Sequence, residues 1–184
     1  LVFVLHHAGT EDRDGYEAFA ELGLEAGYAV FRWDKRGTGR SGAGGRGSTT
    51  QDAVDAYEVA LAQPYVDPRR VVILAQDAGA GLLGSSFGLF ARVQHPRGVI
   101  LATSTLDENE VLAIEANLLI VMGQHDWNPW RSYGKAACDA HNAAYKYGAT
   151  YYAAPYADRM LIDPRTNCLH YGAQNMMLDW LQTL

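Results

Sequence analysis

The stretch that decides the fold is residues 71–81, which read VVILAQDAGAG. It begins with four large apolar residues, which is typical of a strand that is buried on both faces. Small residues then surround a single aspartate, Asp77, and the apolar pattern Gly79–Val93 predicts a buried helix. The stretch therefore predicts a strand, a tight turn with Asp77 at its centre, and a helix that packs back onto the sheet.

The same alternation of short apolar runs and helical patterns extends along the rest of the chain. The predicted strands are Leu1–Leu5, Tyr28–Trp33, Arg70–Leu74, Gly98–Thr103, Leu118–Met122 and Thr150–Ala154. The predicted helices are Tyr16–Ala26, Thr50–Gln63, Gly79–Val93, Arg131–Tyr147 and His170–Leu184. Repeated strand–helix–strand units predict the α/β class, with a doubly wound, mainly parallel sheet and helices on both faces. In such sheets ligands bind beyond the carboxyl ends of the strands.

Length and charge restrict the classes of protein that fit. A chain of 184 residues suits one domain, 1–184. Its formal charge is −6 and its basic residues are scattered, apart from a cluster at Arg32–Arg46, which argues against nucleic-acid and anionic-membrane partners. Cys138 and Cys168 are too few for a disulfide scaffold, so we expect a cytoplasmic protein. Because Leu1–Leu5 is already a strand pattern, we expect the N-terminal part of the protein to precede Leu1, and we draw no inference about a targeting signal.

Three loops at predicted strand ends carry a resemblance to a known family. They read DKRGTGRSG at residues 34–42, AQDAGAG at residues 75–81 and GQHDWNP at residues 123–129. In this order they resemble the D-x-R-G-x-G-x-S turn, the strand–elbow–helix segment that usually reads G-x-S-x-G, and the acid-bearing loop of the α/β-hydrolase superfamily. The resemblance covers essentially the whole chain and is closest to small dienelactone-hydrolase-like and lysophospholipase-like members. Only Ser104–Asn117 separates the strands between which a cap domain inserts, so we expect none.

The central residue of the elbow is the first departure from that family. The resemblance places a nucleophile there, usually serine, and this chain has Asp77. Aspartate nucleophiles occur in the haloalkane dehalogenase and epoxide hydrolase branches, but Ala78 stands where the dehalogenases have tryptophan. An aspartate at a helix start is also an ordinary cap for free backbone N–H groups. Both interpretations of Asp77, as nucleophile and as electrostatic cap, remain open from the sequence.

The histidine position is the second departure. In the family the catalytic histidine lies on the loop after the last strand, and the matching residues 155–161 read PYADRML, with Arg159 in its place. Arginine has no lone pair to accept a proton, so it cannot act as a general base. It does form strong hydrogen bonds to carboxylates. We therefore predict a close ion pair between Asp77 and Arg159, with Asp126, at the acid position, within reach of the same guanidinium.

Several histidines could still serve the site. His170, at the start of the last predicted helix, is the rival base, and its alternative role is to cap that helix. His125, His6 and His7 are expected to face the same pocket, and for each of them a structural hydrogen bond is the alternative. None of them shows the spacing of metal ligands, so we predict neither a metal nor a cofactor.

The remaining expectations concern how the pocket would hold a ligand. The resemblance implies an oxyanion hole made by the backbone N–H groups of Ala8 and Ala78. Trp127 and Tyr156 could line the pocket, and packing over the sheet edge is their alternative role.

Two functional hypotheses follow from these residues. In the first, the chain is a degenerate α/β-hydrolase whose nucleophile and base have been replaced, and it acts as a binding module for a small molecule. In the second, it is an active hydrolase, of ester type or with an aspartate nucleophile, that uses Asp77 with His170 and Asp126. Neither hypothesis involves a nucleic acid or a membrane, and the sequence does not indicate an oligomeric state.

Overall fold

The protein is described here from a computed structural model, which covers residues 1–6, 9–42, 47–126 and 130–184. Six strands form one sheet in which every neighbouring pair is parallel. The strands are β1 (Val2–Leu5), β2 (Val30–Phe31), β3 (Val72–Asp77), β4 (Gly98–Ser104), β5 (Asn117–Gly123) and β6 (Ala149–Ala154). Their spatial order is β2-β1-β3-β4-β5-β6. The predicted parallel α/β sheet is confirmed.

Helices cover both faces of this sheet. They are α1 (Glu17–Glu25), α2 (Thr49–Leu61), α3 (Ala78–Val93), α4 (Trp130–Ala144) and α5 (Tyr171–Thr183). Because strand side chains alternate, Ile73 packs in the core layer under α2, α3 and α4, and its neighbour Leu74 packs in the layer under α1 and α5. Among the helices of the described residues, none has the length and apolar character needed to cross a membrane.

The edge strands differ from the prediction. The strand expected at Tyr28–Trp33 forms only at Val30–Phe31. The reason is that the turn after α1 ends at Gly27, whose φ is +82°, and that the ring of Tyr28 is buried in the core. Both edge strands, β2 and β6, are only half-buried, whereas β1, β3, β4 and β5 are covered on both faces as predicted. Strand β3 runs three residues further than predicted, up to Asp77.

Short elements that carry no strong periodicity were missed by the sequence analysis. They are two short 3-10 helices, Arg13–Tyr16 and Glu110–Ala113, and an antiparallel pair, β7 (Ile162–Asp163) and β8 (Cys168–Leu169). The connection from β4 to β5 contains only the second of those 3-10 helices, so no cap domain is inserted there. The pair β7–β8 follows the loop that contains Arg159 and leads directly into α5.

The strand order creates a crevice between β1 and β3. From β1 the chain crosses through α1 to β2 on one side, and it then returns through α2 on the opposite face to β3, on the other side of β1. The loops that leave the carboxyl ends of β1 and β3 therefore diverge, and doubly wound folds bind ligands at this switch point. The turn at Asp77 lies at its edge.

Candidate functional site

The turn at Asp77 has the backbone of a strained strand-to-helix elbow. Asp77 is the last residue of β3, its φ and ψ are 51° and −113°, and α3 begins at the next residue. A non-glycine residue with positive φ is uncommon and is held only where the surrounding structure fixes it. A side chain on Gly79 would lie within 2.6 Å of the Leu5 carbonyl oxygen and 2.7 Å of that of His6, so β1 approaches the elbow too closely for any larger residue.

The side chain of Asp77 pairs with Arg159. Nε of Arg159 donates to Oδ1 of Asp77 at 3.2 Å, and Nη2 donates to the same oxygen. The Asp77 side chain is 12% exposed and that of Arg159 is 48% exposed, so the pair lies at the mouth of the site rather than in the dry interior. The predicted ion pair is therefore present in the structure. The Asp77 side chain makes no cap hydrogen bond to α3, so the capping interpretation of Asp77 is not supported.

Backbone contacts with the neighbouring loop hold Arg159 in place. The N–H groups of Gln124 and His125, just after β5, donate to Ala154 and Ala157 at 2.8 and 2.9 Å. Asp158, beside Arg159, accepts hydrogen bonds from the N–H groups of Met160 and Ile162 at 2.8 and 2.9 Å, which fixes a tight turn. These hydrogen bonds fix the direction in which the Arg159 side chain leaves the loop, towards the elbow.

Asp126 does not join the ion pair. It lies in the loop after β5, as expected, and is only 7% exposed. Among the ion pairs of the described residues, that of Arg159 is with Asp77, and the expected contact between Asp126 and the same guanidinium is absent. The structure thus pairs the guanidinium, which is half exposed at the mouth of the site, with Asp77 and not with the buried Asp126.

His170 caps a helix. It precedes α5, is 8% exposed, and its Nδ1 accepts a hydrogen bond from the Ala173 N–H at 3.1 Å. This hydrogen bond occupies the lone pair of Nδ1. Within the described residues, the His170 side chain accepts from α5 and the His170 N–H donates to the Leu161 carbonyl. None of the hydrogen bonds of His170 involves Asp77. Arg159, not His170, therefore contacts the elbow.

An exposed aromatic residue, Tyr156, lies three positions before Arg159 in the chain. Tyr156 has φ 64° and is 53% exposed. The His125 ring meets it edge-on with centroids 5.8 Å apart, and the Arg165 guanidinium lies 5.0 Å from the centre of the Tyr156 ring. Arg165 is itself held by Asp163, and its hydrogen bonds lower the pKa of that carboxyl to about 2. The His125 and Tyr156 rings thus join the loop after β5 to the loop after β6.

Three of the predicted pocket residues, His7, Ala8 and Trp127, lie outside the described residues. Ala78 is described and is the first residue of α3, where an oxyanion-hole N–H would stand. His6 is buried, with its ring 4.3 Å from that of Tyr16 and 5.4 Å from that of Trp33. It therefore packs among aromatic rings at the end of β1.

A cleft of about 400 Å³ opens at the switch point between β1 and β3. Its lining comprises His6, Gly9, Lys35, Arg36, Thr38, Thr49, Thr50, Ala78 and Leu82. A narrower recess shares part of this lining and adds the apolar side chains of Leu5, Trp33 and Ala53. Except for His6 and Ala78, the sequence analysis did not assign these residues to a pocket. The basic cluster at Arg32–Arg46 was the signal that could have indicated them.

Two cations stand in the cleft, and they differ in their surroundings. Nε and Nη2 of Arg36 donate to the two carboxylate oxygens of Asp52 on α2, and these hydrogen bonds lower the pKa of Asp52. Lys35 donates from Nζ to the Gly9 carbonyl at 2.7 Å, and its burial lowers its pKa. Within the described residues, no group of three or more His, Cys, Asp or Glu side chains could hold a metal ion.

Comparisons with known proteins identify the fold. No protein-family model matches the sequence, and no curated protein matches it. Among solved structures, a bacterial heroin esterase matches with a TM-score of 0.74 at 15% identity, over 99% of this chain and 74% of that one. A hormone-sensitive lipase from a metagenome library matches with 0.72 at 13% identity, over 99% and 77%. A bromoperoxidase from Bacillus anthracis matches with 0.71 at 14% identity, over 100% and 91%.

These three structures share the architecture described above. The chain therefore has the α/β-hydrolase fold, as its three loops implied, in a form without a cap domain. At sequence identities of 13–15%, the similarity to these structures shows the fold alone. The chemistry that the protein can perform depends on the residues of its site.

Proposed function

We propose that this chain is a degenerate α/β-hydrolase that binds a small molecule at the carboxyl edge of its sheet and has lost ester-hydrolysing chemistry. The ion pair between Asp77 and Arg159 carries the proposal. These residues occupy the nucleophile and histidine positions of the fold. An arginine cannot take a proton from a nucleophile, and the carboxylate that replaces the hydroxyl is held by two N–H groups on one oxygen.

Electrostatics at the elbow also disfavour acyl transfer. A hydrolase stabilises negative charge that develops on the substrate oxygen beside the elbow. Asp77 places a carboxylate at that point, and Arg159 offsets its charge only from one side. Attack of a carboxylate on an ester would also give an anhydride that reverts readily. The scaffold therefore keeps the binding crevice of a hydrolase without its nucleophile and base. Both cysteines are free, which fits the cytoplasmic location that we propose with this function.

The experiment is hydrolysis of p-nitrophenyl butyrate by the purified protein. We expect the rate to stay at or near background, since activation of a hydroxyl by a base is absent and only binding and backbone donors remain. Asp77→Ala should leave that rate unchanged, as should Asp139→Ala, a control at an exposed carboxylate that pairs with Lys135. Turnover of about 1 s⁻¹ or more that Asp77→Ala abolishes and Asp139→Ala preserves would contradict the proposal.

The second candidate, an active hydrolase with Asp77 as nucleophile, is favoured by one observation. The strained backbone at φ 51° is retained although Asp77 makes no cap hydrogen bond. In this case Asp77 would displace a leaving group from an alkyl halide or open an epoxide, and a base would activate water against the ester intermediate. His170 would have to supply that base, and for this its Nδ1 would have to give up the hydrogen bond that it accepts from the Ala173 N–H. Turnover of 1-bromobutane or styrene oxide, lost in both Asp77→Asn and His170→Asn, would establish this candidate.

A further inference from the structure

Helix α4 packs onto the sheet through small side chains and one histidine. Over residues 131–144 its buried residues are Gly134, Ala137, Cys138 and His141. The other helices bury larger side chains, among them Leu22 in α1, Tyr57 in α2, Phe90 in α3 and Trp180 in α5. Because stabilisation by burial grows with the apolar area removed from water, α4 depends more than the other helices on its polar contacts.

His141 makes a polar contact between this face of α4 and the connection from β4 to β5. The residue is 0% exposed, and its Nε2 lies 2.9 Å from the carbonyl oxygen of Ile114, which follows the 3-10 helix Glu110–Ala113. A carbonyl oxygen can only accept, so Nε2 donates this hydrogen bond. The other ring nitrogen, Nδ1, is also buried, and no group in the described part of the chain forms a hydrogen bond with it. A proton on Nδ1 would therefore be a buried donor without an acceptor.

The charged groups around α4 do not offset a charge on His141. Glu110 and Glu115, on the connection from β4 to β5, are exposed, and Glu110 accepts a hydrogen bond from the Asp107 N–H at 3.1 Å. Lys135 and Asp139 lie at exposed positions of α4 itself and pair with each other. His141 belongs to none of the ion pairs that the described residues form.

The other titratable groups beside this face are uncharged in mild acid. The Tyr145 ring lies 5.0 Å from that of His141, and Cys138, one turn earlier, has a pKa that burial raises. Strand β6, which also packs against α4, contributes Tyr151 and Tyr152, whereas β4 and β5 have no titratable side chain. Tyrosine and cysteine lose their protons only above about pH 8. None of these side chains can therefore stabilise a charged imidazole.

Burial consequently controls the protonation of His141. It lowers the pKa of the imidazole below the ordinary value of 6.5, and the hydrogen bond to Ile114 opposes this shift only in part. In a released α4 the ring would be hydrated and would regain its ordinary pKa. The released state therefore binds a proton at a higher pH than the docked state does, so acid shifts the equilibrium towards release.

We propose that His141 is an acid-sensitive latch, and that its protonation releases the second half of α4 from the connection between β4 and β5 while the sheet stays folded. Tyr145, whose hydroxyl donates to the Leu112 carbonyl at 2.6 Å, is released with it. Because α4 follows the loop that contains Asp126, the latch makes one side of the candidate site sensitive to pH. The latch does not depend on the proposed function.

The test uses the two cysteines of the whole protein as probes. Cys138 lies on the buried face of α4, whereas Cys168 is exposed. The rate at which dithiodipyridine modifies each cysteine is measured by mass spectrometry, and the ratio of the two rates removes most of the effect of pH on thiol chemistry. We expect the ratio of the Cys138 rate to the Cys168 rate to rise about tenfold between about pH 7 and pH 5, because release gains up to tenfold for each pH unit below the pKa of a hydrated histidine, about 6.5. A constant or falling ratio would overturn the latch.

Variants assign the effect to the ring of His141. In His141→Gln the side-chain amide can still donate to the Ile114 carbonyl but does not titrate, so the ratio should be independent of pH. His95→Gln is the matched control at an exposed histidine and should behave like the parent protein. An equal rise in His141→Gln and in the parent protein would overturn the assignment. If His141→Gln unfolds, His95→Gln decides, because a rise that this control abolishes belongs to His95 and contradicts the latch.

Urea separates release of α4 from unfolding of the whole chain. Sensitivity to urea grows with the surface that an opening exposes, and release of half a helix exposes little. Low urea concentrations should therefore leave the Cys138 rate in acid nearly unchanged. A Cys138 rate that rises with urea as steeply as global unfolding does would show that the sheet opens too, and it would overturn the local latch.

Discussion

Nε of Arg159 lies 3.2 Å from Oδ1 of Asp77, although the two residues are 82 positions apart in the chain. Asp77 ends β3, and Arg159 lies on the loop after β6, at the far edge of the sheet. A nucleophile and its base would meet across this gap in a hydrolase, and here the two groups attract each other as opposite charges. The fold thus brings two opposite charges together from distant parts of the chain.

The first prediction concerns the energy of that pair. Arg159→Ala should lower the free energy of unfolding by about 1–2 kcal/mol, between the 0–1 kcal/mol of exposed pairs and the 3–5 kcal/mol lost when a fully buried charge loses its partner. The intermediate value follows from side chains that are 12% and 48% exposed. Urea unfolding measures it. The matched control is Arg69→Ala, which removes a more exposed pair with Asp67 at 3.3 Å. Equal losses for the two variants would show that Arg159 stabilises nothing beyond a surface contact.

The second prediction is that ester hydrolysis can be rebuilt. Asp77→Ser combined with Arg159→His should give measurable hydrolysis of p-nitrophenyl butyrate, because the elbow and the acid loop already exist. Each single change should give none, since triad members act as a unit. Placement errors near 1 Å can cost about a hundredfold, so a modest rate suffices. If Asp77→Ser alone is active and His170→Ala then removes the activity, His170 is the base and Arg159 is not at the histidine position.

The third prediction separates the structural role of His170 from a catalytic one. His170→Ala should lower the free energy of unfolding by about 0.5–2 kcal/mol, because the Ala173 N–H loses its acceptor. His170→Asn should retain most of the stability, since asparagine is a good N-cap. Thermal unfolding of the three proteins measures both effects. Equal destabilisation by alanine and asparagine would mean that the cap contributes little and that ring packing holds α5.

The fourth prediction is a pH dependence that Asp163 contributes. Hydrogen bonds from Arg165 lower the pKa of Asp163 from 3.8 to about 2 in the folded protein. Because the pKa of Asp163 is lower in the folded protein than in the unfolded chain, the ionised carboxylate stabilises the folded protein. This stabilisation is complete when the pH is above the unfolded-state pKa, and it is lost as the pH falls through the folded-state pKa. The free energy of unfolding of the parent protein should therefore fall more steeply between about pH 4 and pH 2 than that of Asp163→Asn. Parallel curves for the two proteins would contradict it.

Much of the scaffold could be predicted because its signals are local. The apolar run before Asp77 and the helical pattern after it lie within one short segment, so strand, turn and helix follow from adjacent residues. The central strands show the same signal. Strand β2 was overestimated because an edge strand is limited by its partner, β1, which pairs with only Val30 and Phe31.

The candidate site could be predicted only in part. The chemistry of Asp77 and Arg159 follows from their residue types at two positions that meet in this fold, so the ion pair could be expected. The burial of Asp126 and the cap made by His170 depend on loop backbone angles that no periodic pattern encodes. Lys35 was noticed only as part of a basic cluster.

The sequence by itself therefore determined the layered α/β architecture and the presence of two opposite charges, Asp77 and Arg159, just after two of its predicted strands. The periodicity of the apolar residues and the chemistry of the side chains can both be determined from the sequence alone. Only the tertiary structure decided that Arg159 reaches Asp77 without Asp126, and that Lys35, Thr49 and Ala78 share one cleft. These relationships join segments far apart in the chain, and their distances are set by strand order and loop geometry, which the packing of the whole domain fixes.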